Sequence, residues 1–548
     1  MKLNGIDLIY FNQRPAKFKW DFGNLVASGF SIDKVNYEIN QQKRNKSDWI
    51  LFWDFSNGEP NIEYINTLIS GNAHIYHAGL LFGLDKLPSS LDYILPNWVL
   101  ILNADSSIQS TSWKITPRAC LINYRVINSV GLFDSKYNSL DYAFLDYGFK
   151  SIQLGIISRY DASLLSQKKS IKKINIIKND ELYFIKNNFS SKWQIWAMIR
   201  ICFNNIINYK DIIDYISIFR SLPSNKYDFV RLPLSTENNQ KDKNPKQLKV
   251  SIIIPTLNRY KYLNNLLIQL NIQDILPFEV MIIDQTSDIE KENIIIDKYE
   301  NLNLIVLYLD QPGQSTARNL ALQKCSGDYV LFCDDDIEVE KDFIKSHLQN
   351  ICKYNEVISC GTVTEVKSTK RDERVNPRVS AVFPGGNTLL PKKYLFNSGL
   401  FDAAFDRGMR ADKDLGIRLY LSGYLLLLDP TINVLHHKAD SGGLRMHNQR
   451  KITYAESRKN IFHINLPSIS DFYISFRYFS DRQHKEMFYH SILGLFAIHG
   501  QKYKIILQSL FSLLLLPIFL GIIYRRRTIA KTMLNRYPEI PVMEITDY

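Results

Sequence analysis

The sequence predicts an α/β protein: a mostly parallel sheet flanked by helices, present in two tandem copies and followed by a helical C-terminal region. Three observations predict it. The second half carries short runs that are apolar on successive residues, VSIIIP (250 to 255), EVMIID (279 to 284), NLIVLYLD (303 to 310) and DYVLFCD (328 to 334), the mark of strands covered on both faces. The segments between them, Tyr260 to Leu270, Ile289 to Tyr299 and Ser315 to Lys324, are long enough for helical crossovers. Finally, the first half repeats landmarks of the second in the same order, which points to internal duplication.

Taken in chain order, residues 1–234 are the first copy with a helical tail. SDWILFWDFSNGEP (47 to 60) parallels GDYVLFCDDDIEVE (327 to 340), and VGLFDSKYNSLDYAFLDYGFKSIQLG (130 to 155) parallels SGLFDAAFDRGMRADKDLGIRLYLSG (398 to 423). This copy reads as decayed. Asp54 matches Asp334, but Ser56 stands where Asp336 is, and Phe144 falls at Asp412 when Gly155 is aligned on Gly423. It is expected to be a non-catalytic partner domain.

Residues 235–247, STENNQKDKNPKQ, contain no apolar side chain and carry Pro245, so they read as a linker unable to join a packed core. Residues 248–460 form the second copy and the expected catalytic domain. Residues 461–548 are helical. Within them Ile505 to Tyr524 is uncharged over its whole length and is followed by Arg525-Arg526-Arg527. That length matches a ~30 Å hydrocarbon core. A catalytic domain on the cytoplasmic side before the segment conflicts with a cytoplasmic flank after it, and Pro517 interrupts the run. Three placements therefore stay open: a crossing helix, an in-plane helix or shallow hairpin, and a buried soluble helix.

Bulk properties bound the rest. A chain of 548 residues exceeds one hydrophobic core and predicts two or three domains. Its 45% hydrophobic and 22% charged content is that of a folded globular protein. The net charge of +12 is diffuse apart from the arginine triplet, which argues against nucleic acid and suits phosphate ligands or an acidic membrane surface. The six cysteines show no paired spacing and the first residues no apolar leader, so the expected location is cytoplasmic, at the inner face of the cell membrane.

The chemistry concentrates at Cys333-Asp334-Asp335-Asp336, three carboxylates closing a buried apolar strand. Such a cluster is costly without a compensating cation or hydrogen bonds. The D-x-D spacing lets Asp334 and Asp336 offer hard oxygens to one Mn²⁺ or Mg²⁺; an acidic turn capping the next helix is the alternative.

Together with SIIIPTLNR (251 to 259), EVMIIDQTSD (279 to 288), GQSTARNLAL (313 to 322), GLFD (399 to 402), ADKDLGIRL (411 to 419) and NVLHHKADSGG (433 to 443), this motif resembles the family 2 glycosyltransferases, whose nucleotide-binding domain has the GT-A fold. The resemblance implies an inverting transfer of sugar from a nucleotide diphosphate sugar to a carbohydrate or lipid-linked acceptor. It assigns Pro255, Thr256, Asn258, Arg259, Asp284, Gln285, Gly313, Arg318, Asp334 and Asp335 to the nucleotide sugar, and Asp334, Asp336 and His436 to the metal. Strand alternation favours His436 over His437. Gln285 replaces an acid usual in the family, though its carbonyl can still accept a hydrogen bond. Asp412 resembles the catalytic base, with Ala411 where a glutamate usually precedes it, while Asp414 is expected to orient. N-capping is the structural alternative for Asp412. Two rivals remain: a nucleotidyltransferase, which would be expected to carry a glycine-rich phosphate loop after its first strand, and a glycan-binding scaffold without turnover.

Overall fold

The computed structural model describes residues 5–41, 48–78, 89–165, 178–204, 209–222, 244–287, 298–355, 357–366, 376–439, 442, 466–496 and 502–543. The chain divides into two compact units, one dominated by residues 1–239 and the other by residues 240–548, with short segments near 376–379 and 420–425 grouped with the first. Most of the linker expected at 235–247 and of the crossover at 289–299 lies outside the described residues.

The first unit holds β1 (Ile6–Phe11), β2 (Leu25–Ala27), β3 (Trp49–Asp54), β4 (Ile75–His77), β5 (Ser110–Thr111), β6 (Ala119–Asn123) and β7 (Ser158–Tyr160). They lie in one sheet in the order β2-β1-β3-β6-β4-β7-β5. Every residue of β3 is buried, as its unbroken apolar run requires.

The strands of the second sheet are β8 (Val250–Thr256), β9 (Glu279–Asp284), β10 (Leu304–Tyr308), β11 (Tyr329–Cys333), β12 (Ile337–Glu338), β13 (Val357–Glu365), the two-residue β14 (Arg378–Val379), β15 (Asn387–Pro391) and β16 (Leu425–His436). The sheet runs β10-β9-β8-β11-β15-β13-β16-β12. Its first four strands are parallel, as the apolar runs predict, and helices Tyr260–Leu270 and Gln314–Lys324 appear where crossovers are expected. Beyond β11 the pairing turns antiparallel: Cys333 sits opposite Asn387. That half has no crossover signature in the sequence.

The same strand order recurs in both units. In each, the strand that carries the aspartate at its end or leads directly into it (β3 to Asp54, β11 to Asp334) lies between a parallel neighbour (β1 or β8) and an antiparallel one (β6 or β15). The repeated GLFD has a physical basis. Gly131 and Gly399 close short helices with φ of 93° and 75°, a conformation that favours glycine. The following Phe133 and Phe401 are buried. Asp134 and Asp402 then each accept a tyrosine hydroxyl, from Tyr183 at 2.8 Å and from Tyr473 at 2.7 Å. Downstream, Asp146 pairs with Lys150 and accepts from Asn188, while Asp414 pairs with Arg418 and accepts from Tyr478. The likeness thus extends past the sheets into the helices Lys178–Asn188 and Ile469–Tyr478.

The apolar segment 505–524 is not one straight helix. It divides into Lys502–Leu514 and Leu516–Arg536, which meet at 66°. Pro517 lies in the first turn of the second helix, where its missing N–H costs nothing. Among the described residues no single helix is long and apolar enough to cross a membrane.

Candidate active site

The carboxyl ends of β8 and β11, the start of helix Gln314–Lys324, the start of helix Ala411–Leu421 and the end of β16 surround a cavity of about 220 Å³. Ligands of open α/β sheets bind at this edge because strand ends and helix N-termini converge there. Of the residues expected from the sequence, Pro255, Thr256, Arg259, Gln285, Gly313, Arg318, Asp334, Asp335, Asp336, Asp412 and His436 line it.

The three consecutive aspartates have different partners. Asp335 is held at the back, accepting from Thr256 Oγ1 at 2.9 Å and from Arg259 Nη1 at 2.9 Å. Burial, reinforced by the charge of Asp336, pushes its carboxyl up to about 6 despite Arg259. Asp336 accepts from the Ala439 N–H at 2.9 Å and lies 3.3 Å from Arg259 and 3.1 Å from His436 Nε2. Its burial works to raise the pKa, but His436, Arg259 and that N–H together outweigh it and lower the pKa. The Asp336 Oδ1 has no well-aligned hydrogen-bond donor although it is fully enclosed. Asp334 faces the cavity and meets Arg318 Nη2 at 3.0 Å. The Arg318 guanidinium also lies 5.5 Å from the centre of the Phe401 ring, and its buried Nε has no acceptor.

The two histidines part company. His436 turns to Asp336, whereas His437 contacts Glu338 at 2.5 Å and stacks near Tyr262. Asp334, Asp336 and His436 therefore share one cavity and suit a hard divalent cation by chemistry, with Asp336 Oδ1 and His436 Nε2 facing each other at 3.1 Å. Among the described residues, however, no three acidic, histidine or cysteine side chains stand close enough to hold an ion as they are.

Three expected donor residues do something else. Asp284 is spent within its own loop, accepting from the Tyr260 hydroxyl at 2.7 Å and the Thr286 N–H at 3.0 Å, and it does not reach the cavity wall. Asn258, at φ 55°, donates its backbone N–H to Thr286 and is likewise off the wall. Gln285 lines the cavity, but its carbonyl accepts the Gly313 N–H at 2.8 Å, so that oxygen ties two loops together and is not left to greet a base.

Asp412 is the second residue of its helix, not its cap; its Oδ1 accepts the adjacent Lys413 N–H at 2.8 Å. Burial raises its pKa. Asp414 points away from the cavity into its pairing with Arg418 and Tyr478.

The wall also includes residues the motifs did not single out. A Cβ on Gly386 would come 2.6 Å from Asp334 Oδ2, and one on Gly385 would come 3.3 Å from Asp412 Cβ. The Gly385-Gly386 backbone therefore runs between the two carboxylates. Asp406 accepts from Thr316 N at 2.8 Å and Thr316 Oγ1 at 2.6 Å, satisfying the start of helix Gln314–Lys324. Arg410, just ahead of Asp412, adopts φ 85°, a costly conformation for a non-glycine residue that is commonly kept at working sites.

In the first unit the counterpart of Asp334 is closed off. Asp54 accepts from Asn12 at 2.5 Å, Ser56 N at 2.9 Å and Arg118 at 2.9 Å, and Arg118 continues to Asp141 at 3.1 Å.

Comparison with known proteins adds the following. TarS of Staphylococcus aureus, a poly(ribitol-phosphate) beta-N-acetylglucosaminyltransferase, is 39% identical over 103 residues, 18% of this chain and 18% of its own. Glycosyltransferase GlyA of Streptococcus pneumoniae is 30% identical over 116 residues, 21% of this chain and 16% of its own. An uncharacterized glycosyltransferase of Rickettsia felis is 25% identical over 340 residues, 59% of this chain and 53% of its own. The chain thus spans only a minor part of TarS and GlyA and about half of the Rickettsia protein. Among solved structures, the 1–349 fragment of TarS with UDP-GlcNAc aligns at 18% identity and TM-score 0.33, over 55% of this chain and 95% of that one. The segment 251–415, which carries the aspartate cluster and Asp412, matches the model of glycosyl transferase family 2, and it is a domain of that family.

Proposed function

We propose that the second unit is an inverting glycosyltransferase that moves a sugar from a nucleotide diphosphate sugar to a carbohydrate or lipid-linked acceptor. One observation carries the reading: Asp334, Asp336, Arg318 and Asp412 of the family segment meet His436, which follows it, at one cavity, the two aspartates and His436 suited to a divalent cation, Arg318 to a diphosphate and Asp412 to an acceptor hydroxyl. Arg318 supplies positive charge to the phosphates. Asp334, Asp336 and His436 would hold Mn²⁺ or Mg²⁺, whose charge would stabilise the departing diphosphate. Asp412 takes the proton of the acceptor hydroxyl as its oxygen bonds to the anomeric carbon, and the bond from that carbon to the diphosphate oxygen breaks. Inversion follows from this single displacement.

We further infer that the two units arose by duplication and that the first no longer turns over. The shared strand order and paired aspartates support the first statement, and the engagement of Asp54 by Arg118 supports the second. We place the protein in the cytoplasm at the inner membrane face, with its diffuse positive charge as support.

Incubation of the purified protein with Mn²⁺ and a panel of nucleotide sugars should release nucleoside diphosphate with at least one of them. Chelation by EDTA, or Asp334→Ala or Asp336→Ala in a folded protein, should abolish the release. Formation of inorganic pyrophosphate instead would identify a nucleotidyltransferase, and undiminished turnover in EDTA would remove the metal from the mechanism.

A further inference from the structure

We propose that Lys502–Arg536 is a wedge that inserts into a single leaflet of an anionic lipid surface without crossing it. This rests on the membrane placement proposed above and specifies its geometry and its lipid.

The first arm, Lys502–Leu514, has its polarity reversed relative to a helix packed in water. Its buried side carries Gln508 and Ser512, the latter donating to the Leu495 carbonyl at 3.0 Å. Ile506, Leu507, Leu510, Leu513 and Leu514 are all exposed, and their spacing of i, i+1, i+4, i+7 and i+8 makes one stripe. In water this arrangement is unfavourable, because it leaves five large apolar side chains wet while a hydroxyl and an amide are buried. Against hydrocarbon it is favourable.

The stripe continues past the elbow through Ile518 to Tyr524 and Arg525, while Phe519, Ile523 and Ala530 face inward. At the elbow Leu514 is 79% exposed, the most exposed large apolar side chain among the described residues. Tyr503 stands at the outer end of the first arm and Tyr524 near the middle of the second helix, both exposed; amphipathic rings settle at the headgroup level. Exposed Arg525 and Lys531 follow on the same helix and complement anionic headgroups.

The bend sets the depth. Each arm from tyrosine to elbow is about 15 Å at 1.5 Å per residue. A change of direction of 66°, shared equally, inclines each arm by about 33° and sets the elbow ~8 Å below the tyrosines, within the ~5–10 Å typical of interfacial helices and far short of a ~30 Å core. Both ends then remain on the side from which the protein came. The conflict between a catalytic domain before the segment and arginines after it disappears.

The test uses the full chain and preformed vesicles of phosphatidylglycerol mixed with phosphatidylcholine. Co-sedimentation is expected with these, less with phosphatidylcholine alone. Leu510→Asp with Leu514→Asp should lower partitioning by more than about 100-fold at unchanged Tm, since both side chains are exposed. Arg525→Glu with Lys531→Glu should weaken binding to the anionic vesicles only. Cysteines introduced as Lys502→Cys and Asn535→Cys should both react with an impermeant maleimide after binding, measured against the parent chain. Protection of one of the two would mean a crossing and overturn the wedge while keeping the membrane. An absence of vesicle binding would overturn both, and a change of oligomeric state in the aspartate variant would assign the stripe to a second copy of the chain. Vesicle binding is read without any sugar donor, so failure of the glycosyltransferase reading would leave this result untouched.

Discussion

At Asp412 a raised pKa and the proposed role of general base make a joint prediction. A general base works only when deprotonated. Burial lifts this carboxyl above its ordinary range, so kcat/KM should fall as pH drops through a value higher than the ~3.9 of a free aspartate. Asp412→Asn should erase that acid limb and lower the rate with acceptor by roughly 10²–10⁴, about 3–5 kcal/mol of barrier. Donor binding should persist because Arg318 and the aspartate cluster are unchanged. A near wild-type rate, or an unaltered pH profile, would move the base elsewhere. Gly386 tests the facing side of the cavity. Gly386→Ala drives a methyl against Asp334 Oδ2, so the Mn²⁺ concentration for half-maximal turnover should rise by roughly 10–100-fold, the scale for disturbing the surroundings of a metal ligand. An unchanged metal requirement would show that Asp334 does not act through that oxygen.

The helix Ala411–Leu421 separates function from support within three residues. Asp412 faces the cavity, whereas Asp414 is fully buried and joins Arg418 to Tyr478. Asp414→Ala leaves the Arg418 charge buried without its carboxylate, a loss of about 3–5 kcal/mol. It should therefore lower the denaturation midpoint sharply, in contrast to Asp412→Asn; equal stability of the two variants would contradict this division. The aspartate cluster, the apolar runs and both GLFD tetrapeptides were legible in the sequence because each is local: a strand, its end and a glycine cap. Gly385-Gly386 and Asp406 were not, since their roles arise when the chain returns from 52 and 90 residues away to Asp334 and Thr316. The contacts of Asp284 were not legible for the same reason, as its position after a strand does not reveal that Tyr260 and Thr286 hydrogen-bond to its two oxygens. The bend at Leu515 was signalled only by Pro517, and composition alone reads that segment as continuous.

On the scale of the whole chain, the two sheets share a run of strands in one order, β2-β1-β3-β6-β4-β7 and β9-β8-β11-β15-β13-β16, while the proposed chemistry belongs to the second. The contrast lies in what surrounds the matching aspartates. Asp334 is partly exposed in a cavity, with the Gly385-Gly386 backbone beside it and Asp412 across from that backbone. Asp54 is fully buried and bound by Asn12, Ser56 and Arg118; its pKa is lowered because these hydrogen bonds and the Arg118 charge overcome the burial that would raise it. Phe144, at the place of Asp412, is itself packed against Phe52 and Phe133, so no carboxylate faces an acceptor there. On the proposed duplication, the counterpart of a proposed cation ligand serves as a structural anchor, and an anchor fails differently from a ligand. Asp54→Ala would leave Arg118 with Asp141 alone and remove three hydrogen bonds, lowering the unfolding free energy of the first unit by about 2–4 kcal/mol. Metal-dependent turnover by the second unit should remain at the wild-type level when assayed well below the melting temperature. A loss of turnover as large as that of Asp334→Ala, with stability unchanged, would show that the first unit still binds a donor.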